Sequence, residues 1–296
     1  MIIDAHQHTF WHDHDDEAVV RNMDEHGIGL TWLLTWEGWA DEVDERTYAG
    51  SLDPRGDHVW LPLQGVVEAC RRYPDRFIPG YCPNPRDPYA PQKLESAVSL
   101  FGIKTCGEWK FRLPFDDPRC IALFWKAGEL GLPVTLHSDA PFLPPATGRD
   151  LQPYWYGGTV ANLERTLQQC PDTIFIGHAP GFWREISGDA DSSPDTYPTG
   201  PVTPGGRLWH LFDTYPNLYA DLSAGSAHRA LSRDPDIGRR FIVKYHQRLL
   251  FGRDCFDGEM MALLREMELS EGVFQRVTEE NATALIAEGI HNGEKS

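Results

Sequence analysis

The chain of 296 residues is poor in positive charge, in paired cysteines and in long apolar runs. Lys and Arg number 27 against 44 Asp and Glu, which gives a formal net charge of -17. Such a chain repels an extended phosphate backbone, so nucleic acid is excluded as a general partner. A local basic pocket for an anionic small molecule is still compatible with this total.

The six cysteines stand singly, and no Cys-x-x-Cys pair occurs. This usage is typical of reduced thiols in a cytosolic protein. No stretch approaches the roughly 20 apolar residues that span a bilayer. The start, Met1-Ile2-Ile3-Asp4, has neither the basic residues nor the apolar run of a secretory signal. We therefore expect a cytoplasmic protein without a membrane partner.

The composition is that of a folded protein, with 41% hydrophobic and 24% charged residues. Short apolar runs alternate with longer amphipathic segments, a pattern typical of successive βα units. Eight such runs predict an α/β fold, a (β/α)8 TIM barrel, as a single domain over residues 1–296. A homo-oligomer is left open. The predicted strands are the stretch Met1–His8, then Ile28–Thr35, Phe77–Cys82, Cys106–Leu113, Pro133–His137, Thr173–His178, Asn217–Leu222 and Arg248–Gly252. Long loops are predicted over Trp36–Asp57 and Ala179–Gly206.

The first strand ends in two histidines, His6 and His8, one residue apart. Strand side chains two positions apart point to the same face, so both imidazoles should enter one cavity. Converging imidazoles suit zinc, iron, nickel or copper. The spacing alone is equally compatible with two histidines near a frayed terminus.

Polar residues also follow other predicted strands at the same end. His137 ends the fifth strand, His178 ends the sixth, and Asp254 follows the eighth. Active sites of this barrel lie at the carboxyl ends of the strands. Each residue alone could bond a loop carbonyl, and Asp254 could cap a helix. Together they predict one site at this end of the barrel.

The motifs around these residues resemble those of the amidohydrolase superfamily, in its amidohydrolase-2 branch, which includes aminocarboxymuconate semialdehyde decarboxylase and related metal-dependent hydrolases. The matching segments are IIDAHQH, VTLHSD, FIGHAPG, LYADLSAG, LLFGRDC and EENATAL. The resemblance implies one divalent metal ion, commonly zinc, held by His6, His8, His137 and Asp254. It further implies that His178 is the acid/base beside the metal-bound water and that Asp254 also accepts a proton.

The fourth predicted strand carries three charges, Glu108, Lys110 and Arg112, on one face, with Trp109 and Phe111 on the other. Charges inside a barrel need partners, so at least one should reach the site. The alternative is an ion pair of Glu108 with Lys110 or Arg112 at the barrel mouth. Glu108 resembles a carboxylate metal ligand of some relatives. Lys110 resembles a G-x-K element that would bind an anionic substrate group, as Arg112 would; in binuclear relatives a carbamylated lysine instead bridges two metals.

Several aromatic residues fall on loops at the predicted active end. They are Trp36, Trp39, Trp155, Tyr156 and Trp183. Such residues can line a pocket for a planar or ring substrate. Core packing and loop anchoring are the common alternatives.

The site suits a small-molecule enzyme, and two reactions compete. The first is metal-dependent hydrolysis, in which metal-bound hydroxide attacks the carbonyl of an amide, ester or lactone. The second is non-oxidative decarboxylation of a small carboxylated substrate, for which Lys110 or Arg112 would supply the cation. A degenerate barrel that only binds a ligand is disfavoured, because all five strand-end candidates are present. We predict the hydrolase, with the decarboxylase as the alternative.

Overall fold

The computed structural model describes residues 1–9, 14–38, 63–143, 152 and 155–291, with side chains up to residue 287. The described chain contains eight strands, and every pair of neighbouring strands is parallel. The strands are β1 (Ile2–Gln7), β2 (Ile28–Leu33), β3 (Phe77–Pro79), β4 (Cys106–Trp109), β5 (Val134–His137), β6 (Phe175–His178), β7 (Leu218–Asp221) and β8 (Leu249–Leu250).

The strands close into a barrel through backbone hydrogen bonds at two seams. Hydrogen-bonded ladders join β1, β2 and β3 into one sheet, and β4, β5, β6, β7 and β8 into a second, each in chain order. Between these sheets, the Tyr81 amide donates to the Thr105 carbonyl at 3.1 Å, and on the other side the Ala5 amide donates to the Phe251 carbonyl at 2.9 Å. The predicted (β/α)8 barrel is confirmed, and β1 lies beside β8.

Helices follow the strands in the described chain. They are α1 (Asp16–Glu25), α2 (Leu63–Arg72), α3 (Ala90–Phe101), α4 (Pro118–Glu129), α5 (Val160–Gln169), α6 (Pro180–Trp183), α7 (Arg207–Thr214), α8 (Ala224–Ser232), α9 (Pro235–Tyr245), α10 (Glu259–Glu266), α11 (Glu271–Gln275) and α12 (Asn281–His291). Short 3-10 turns cover Arg184–Ile186 and His246–Arg248, and a π-helical turn covers Arg276–Glu280. None of the helices described combines the length and the apolar character that a membrane crossing requires.

Helix α4 shows why such segments are helical. Asp117 caps it by accepting a hydrogen bond from the Arg119 amide, and Pro118 occupies the first turn, where no intrahelical amide bond is lost. Its buried face takes Cys120, Ile121, Leu123, Phe124 and Ala127, spaced as one stripe of a 3.6-residue helix. Burial of this stripe against the barrel, rather than helix propensity, stabilises the segment.

The core has an outer layer and an inner one. Alternate strand residues such as Val134 and Leu136 belong to the large cluster under the helices. A second cluster takes Ile3, Trp32, Ile176 and Leu250 from the strands together with Ala282 and Leu285 of α12. Because strand side chains alternate, these residues fill the barrel interior, and α12 packs against them.

Two predictions about chain segments are wrong. Strand β4 ends at Trp109, not at Leu113, because Phe111 and Phe115 exchange backbone hydrogen bonds with Gly157 instead of continuing the ladder. Lys110 and Arg112 therefore lie beyond the strand. The loop predicted over Ala179–Gly206 contains α6 and the 3-10 turn that follows it. Most of the other predicted loop, residues 39–57, lies outside the described part of the chain.

Candidate metal centre

The two β1 histidines converge at the carboxyl end of the barrel. Their Nε2 atoms are 3.3 Å apart, and both residues are buried. His6 Nδ1 donates to Asp221 Oδ2 at 2.7 Å, and His8 Nδ1 donates to the Leu34 carbonyl at 2.8 Å. Since each Nδ1 faces an acceptor, the neutral ring carries its proton there and has its Nε2 lone pair for a metal ion. The strand register shifts between Asp4 and Gln7, at the point where these histidines begin.

Asp254 faces the same space from the end of β8. Its Oδ1 lies 3.3 Å from His8 Nε2 and 3.8 Å from His6 Nε2. This oxygen is buried and has no hydrogen-bond partner among the described residues. A buried carboxylate oxygen without a donor is costly unless a cation satisfies it. The backbone φ of Asp254 is 57°, a left-handed conformation that aspartate tolerates better than most residues, and its amide donates to the His6 carbonyl at 2.9 Å.

Glu108 completes a set of four residues around this space. It is buried, with Oε2 at 3.7 Å from His8 Nε2 and Oε1 at 3.9 Å from His6 Nε2. His6, His8 and Asp254 offer ligand atoms that all lie within 4.8 Å of one another. The structure therefore brings together nitrogen and oxygen donors that fit a divalent transition metal.

His137 lies on the other side of Glu108. Its Nδ1 is 2.5 Å from Glu108 Oε1, and its Nε2 is 3.2 Å from Asp139 Oδ2. It forms a second donor group with Glu108 and His178. Both of its ring nitrogens thus face carboxylates, so its place as a metal ligand stays a prediction.

His178 lies beside the donor set. Its Nε2 is 3.6 Å from Glu108 Oε1 and 3.6 Å from Asp254 Oδ2. Its Nδ1 faces Asp221 Oδ1 at 3.0 Å and the Ser223 hydroxyl at 2.8 Å. The ring therefore presents Nε2 to the space where an acid or base would act.

Asp221 is a site residue for which the sequence analysis assigns no role. It ends β7, is 1% exposed, and contacts both His6 and His178. The segment LYADLSAG carries the available signal, because an acidic residue directly after an apolar run follows the same strand-end rule as His137 and Asp254.

The carboxylates and imidazoles shift one another's proton affinities. Burial alone would raise the pKa of Asp221, but His178 and His6 hold it well below its ordinary value. Burial alone would lower the pKa of His6, yet Asp221, Asp254 and Glu108 raise it to about 10. The pKa of Asp254 falls to about 2, because the neighbouring His6 and His8 outweigh its burial. Without a metal ion, a proton on His6 thus balances part of the negative charge.

A buried ion pair between Asp4 and Arg253 lies next to the site. Asp4 accepts hydrogen bonds from the His6 amide at 3.2 Å and from the Arg253 amide at 3.0 Å through the same Oδ1 atom. Its Oδ2 pairs with the Arg253 guanidinium at 2.8 Å. Asp4 therefore ties together the segments that carry His6 and Asp254.

Lys110 lies at the barrel mouth between two aromatic rings. Its Nζ is 5.4 Å from the ring of Trp36 and 5.5 Å from the ring of Tyr156. Burial disfavours the ammonium form, but Glu108 and other nearby carboxylates outweigh it and raise the pKa of Lys110. The charged form is the one that binds anions. Arg112 lies in the loop after β4, and its function in substrate binding stays a prediction.

Some of the aromatic candidates lie at the barrel mouth and others do not. Trp36 and Tyr156 contact Lys110, and their rings lie 5.5 Å from those of His8 and His137, respectively. Trp183 is fully buried and donates to the Asp221 carbonyl at 3.1 Å, so it anchors β7 instead of lining the mouth. Trp39 lies outside the described residues.

Comparisons with known proteins support the family and the barrel fold. A family model described as amidohydrolase matches residues 3–286. An uncharacterised TIM-barrel protein from Bordetella bronchiseptica superposes with a TM-score of 0.66 at 16% identity, covering 97% of this chain and 99% of that chain. A dihydroxybenzoic acid decarboxylase from Polaromonas, solved with manganese and 2-nitroresorcinol, gives a TM-score of 0.60 at 19% identity, covering 97% of this chain and 96% of that chain.

A probable 2-pyrone-4,6-dicarboxylic acid hydrolase from Acinetobacter baumannii, solved with citric acid, gives a TM-score of 0.58 at 13% identity, covering 97% of this chain and 99% of that chain. No protein of curated function matches this sequence. At these identities the solved structures support the fold, and they include both hydrolases and decarboxylases.

Proposed function

Because this chain belongs to the amidohydrolase family, as its motifs predict, we propose that it is a metal-dependent hydrolase that cleaves an amide, ester or lactone of a small molecule. One observation carries the proposal. Asp254 presents a buried oxygen without a hydrogen-bond partner in the described chain, next to two histidines whose Nε2 atoms converge on the same space. An acid/base candidate, His178, lies 3.6 Å from the other oxygen of Asp254.

The donor set fits one divalent transition metal ion. His6, His8 and Asp254 would hold it, with Glu108 or His137 as a further ligand. Two imidazoles with one or two carboxylates suit zinc, our first expectation, and also manganese. When bound, such an ion polarises a substrate carbonyl and lowers the pKa of coordinated water.

The protein's own residues would position the substrate and move protons. His178 can accept or donate a proton at Nε2, and Asp254 Oδ2, 3.6 Å from this nitrogen, is a second candidate to accept one. Lys110 would bind an anionic group of the substrate, with Trp36 and Tyr156 flanking a planar part of it. Hydrolysis makes use of both His178 and a cation held by Asp254.

Non-oxidative decarboxylation is the second candidate, and Lys110 favours it. Its ammonium group at the barrel mouth, beside two aromatic rings, suits a carboxylated aromatic or enoic acid. The dihydroxybenzoate decarboxylases from Rhizobium and Polaromonas share the fold. In that reaction the same cation site would bind the substrate, but the bond broken would be the carbon–carbon bond to its carboxylate.

Metal analysis with three variants tests the site. His8→Ala and Asp254→Asn should purify without stoichiometric metal and without activity. His178→Asn should keep the metal and lose at least roughly 100-fold in kcat, the scale of general acid/base catalysis. His210→Asn, at an exposed histidine that pairs with Glu164, serves as the control and should change neither. Full metal content in His8→Ala and Asp254→Asn would reject the assignment.

The product separates the two reactions. Wild-type protein loaded with zinc or manganese is offered lactones and esters with proton release as the readout, and amides with amine release as the readout. The same preparations are offered carboxylated aromatic and enoic acids with carbon dioxide as the readout. Proton or amine release without carbon dioxide supports the hydrolase, and carbon dioxide release would replace it with the decarboxylase.

A further inference from the structure

A single carboxylate, Asp221, lies between a proposed metal ligand and the proposed acid/base. Its Oδ2 accepts from His6 Nδ1 at 2.7 Å. Its Oδ1 faces His178 Nδ1 at 3.0 Å and accepts from the Ser223 hydroxyl at 2.6 Å and the Ser223 amide at 3.2 Å. Asp221 is 1% exposed, so water does not compete for these bonds.

The bonding pattern determines which ring nitrogens carry protons. A carboxylate without a proton can only accept, so a nitrogen that faces it must donate. The Ser223 hydroxyl uses its hydrogen on Asp221, so its oxygen can accept from His178 as well. Both imidazoles therefore carry the proton on Nδ1, and their Nε2 atoms are left for the metal ion and for the reacting proton.

We propose that Asp221 is a positioning residue that sets the tautomers of His6 and His178 together, so that metal binding and proton transfer depend on the same carboxylate. The inference rests on the proposed function, because it assigns His6 to the metal and His178 to the proton. It adds a link between the two that neither role requires, since two separate acceptors would serve equally well.

Asp221→Asn is the informative change, because it preserves size and removes one acceptor. An amide has one oxygen that accepts and one NH2 group that only donates. One of the two rings must then face a donor, and its proton must move to Nε2. The Ser223 amide and hydroxyl donate to the Oδ1 position, so the Asn oxygen should stay there and the NH2 group should face His6, which costs the metal a lone pair.

The tautomers are measured directly by long-range 1H–15N NMR of histidine-labelled protein, both zinc-loaded and metal-free. In the zinc-loaded wild type, His6 and His178 should both show Nδ1–H, and in the metal-free protein His178 should still show it when neutral. In Asp221→Asn, one ring should change to Nε2–H. Zinc affinity should fall 10-fold to 100-fold, the usual cost of losing such a partner.

Two variants isolate the effect. Ser223→Ala removes a second acceptor from His178 but leaves Asp221, so the Nδ1–H tautomers and the zinc affinity should be unchanged. Asp213→Asn makes the same substitution at a surface carboxylate paired with Lys244 and should change nothing.

A neutral His6 or His178 ring with Nε2–H in the zinc-loaded wild type would overturn the inference even if Asp221→Asn fails to fold. Unchanged tautomers and zinc affinity in a folded Asp221→Asn protein would overturn it as well. Both results would leave the proposed function in place, because they make no use of turnover. Conversely, a wild type that binds zinc and shows the expected tautomers but hydrolyses no amide, ester or lactone would reject the proposed function alone.

Discussion

At the scale of single residues, the candidate site holds more negative than positive groups. Glu108, Asp139, Asp221 and Asp254 gather there, and the pKa values of all four carboxyls lie below their ordinary range despite burial. Lys110 is the cation that most plainly offsets them. Buried anions of this number are stable only when paired with cations or a metal ion. The excess negative charge is thus itself an argument for a cation at the site.

Lys110 gives the first residue-scale prediction. Lys110→Met should lower kcat/KM for an anionic substrate roughly 10-fold to 100-fold, because a charge-assisted hydrogen bond contributes about 1.5–3 kcal/mol. A neutral analogue of the same substrate should be affected much less. Steady-state kinetics on the pair measure the difference. Lys244→Met, at a surface lysine on α9 that pairs with Asp213, is the control. An equal loss on both substrates would show that Lys110 acts on folding and not on charge recognition.

Much of this residue pattern is visible in the sequence. His6, His8, His178 and Asp254 each follow an apolar run, so the strand-end rule finds them, and the structure places each histidine side chain within 4 Å of Asp254 around one space. Asp221 follows the same rule, but its importance depends on its contacts with His6 and His178. These partners lie 215 and 43 positions away from it in the sequence, respectively. Pairings of such range have no local signature.

At the scale of elements, the segment after β6 is packed tightly against the segment after β5. Gly181, in α6, donates its amide to the Ser138 carbonyl at 2.7 Å. A Cβ on Gly181 would lie 2.5 Å from that carbonyl oxygen and 2.8 Å from the Ala140 amide nitrogen. Both are backbone atoms, so neither can rotate away. The close approach holds the residues next to His137 against α6.

Gly181→Ala should therefore destabilise the fold and disturb the site. The added methyl must push α6 away, at a cost of about 1–3 kcal/mol in the free energy of unfolding. Gly272→Ala is the matched control, since a Cβ there meets no atom within 4 Å and the residue lies in helix α11. It should leave turnover unchanged and stabilise the protein by about 0.5–1 kcal/mol. Urea denaturation of both variants measures the contrast, and equal stability of the two would contradict the packing argument.

The sequence predicts where elements occur better than where they end. All eight strands lie where apolar runs predict them, yet each is shorter, because a ladder continues only while its neighbour does. Strand β4 shows this: the apolar pattern continues to Leu113, but Phe111 and Phe115 bond to Gly157 in a distant loop. Helix α6 was missed because Pro and Gly open a segment otherwise rich in loop residues, although Pro is favourable in the first helical turn.

At the scale of the whole molecule, the candidate site connects the first strand of the barrel to the segment after the last strand. His6 comes from the first strand and Asp254 follows the last, and the Asp254 amide bonds to the His6 carbonyl. Asp4 and Arg253 form a buried ion pair next to this bond. Metal binding at His6 and Asp254 would therefore cross-link the seam that closes the barrel, and it should stabilise the entire fold.

The last prediction combines this seam with pH. The pKa of His6 in the metal-free fold is about 10, above the ordinary value of 6.5. Between these values the folded protein holds a proton that the unfolded chain has released. The free energy of unfolding should thus be highest below pH 6.5 and fall as pH rises, by at most about 1.4 kcal/mol per pH unit for one proton. Metal-free His6→Gln should lack this slope.

Zinc should reverse the trend, because it binds the neutral imidazole and displaces the proton from His6. Zinc affinity should rise up to about 10-fold per pH unit over the same range, and the zinc-loaded protein should gain stability over the metal-free protein as pH increases. Urea denaturation from pH 6 to pH 9, with and without bound zinc, measures both effects. If the metal-free stability rises with pH over this range, or if zinc stabilises His6→Gln as strongly as the wild type, then His6 does not hold the exchangeable proton and the cation does not bind across the seam.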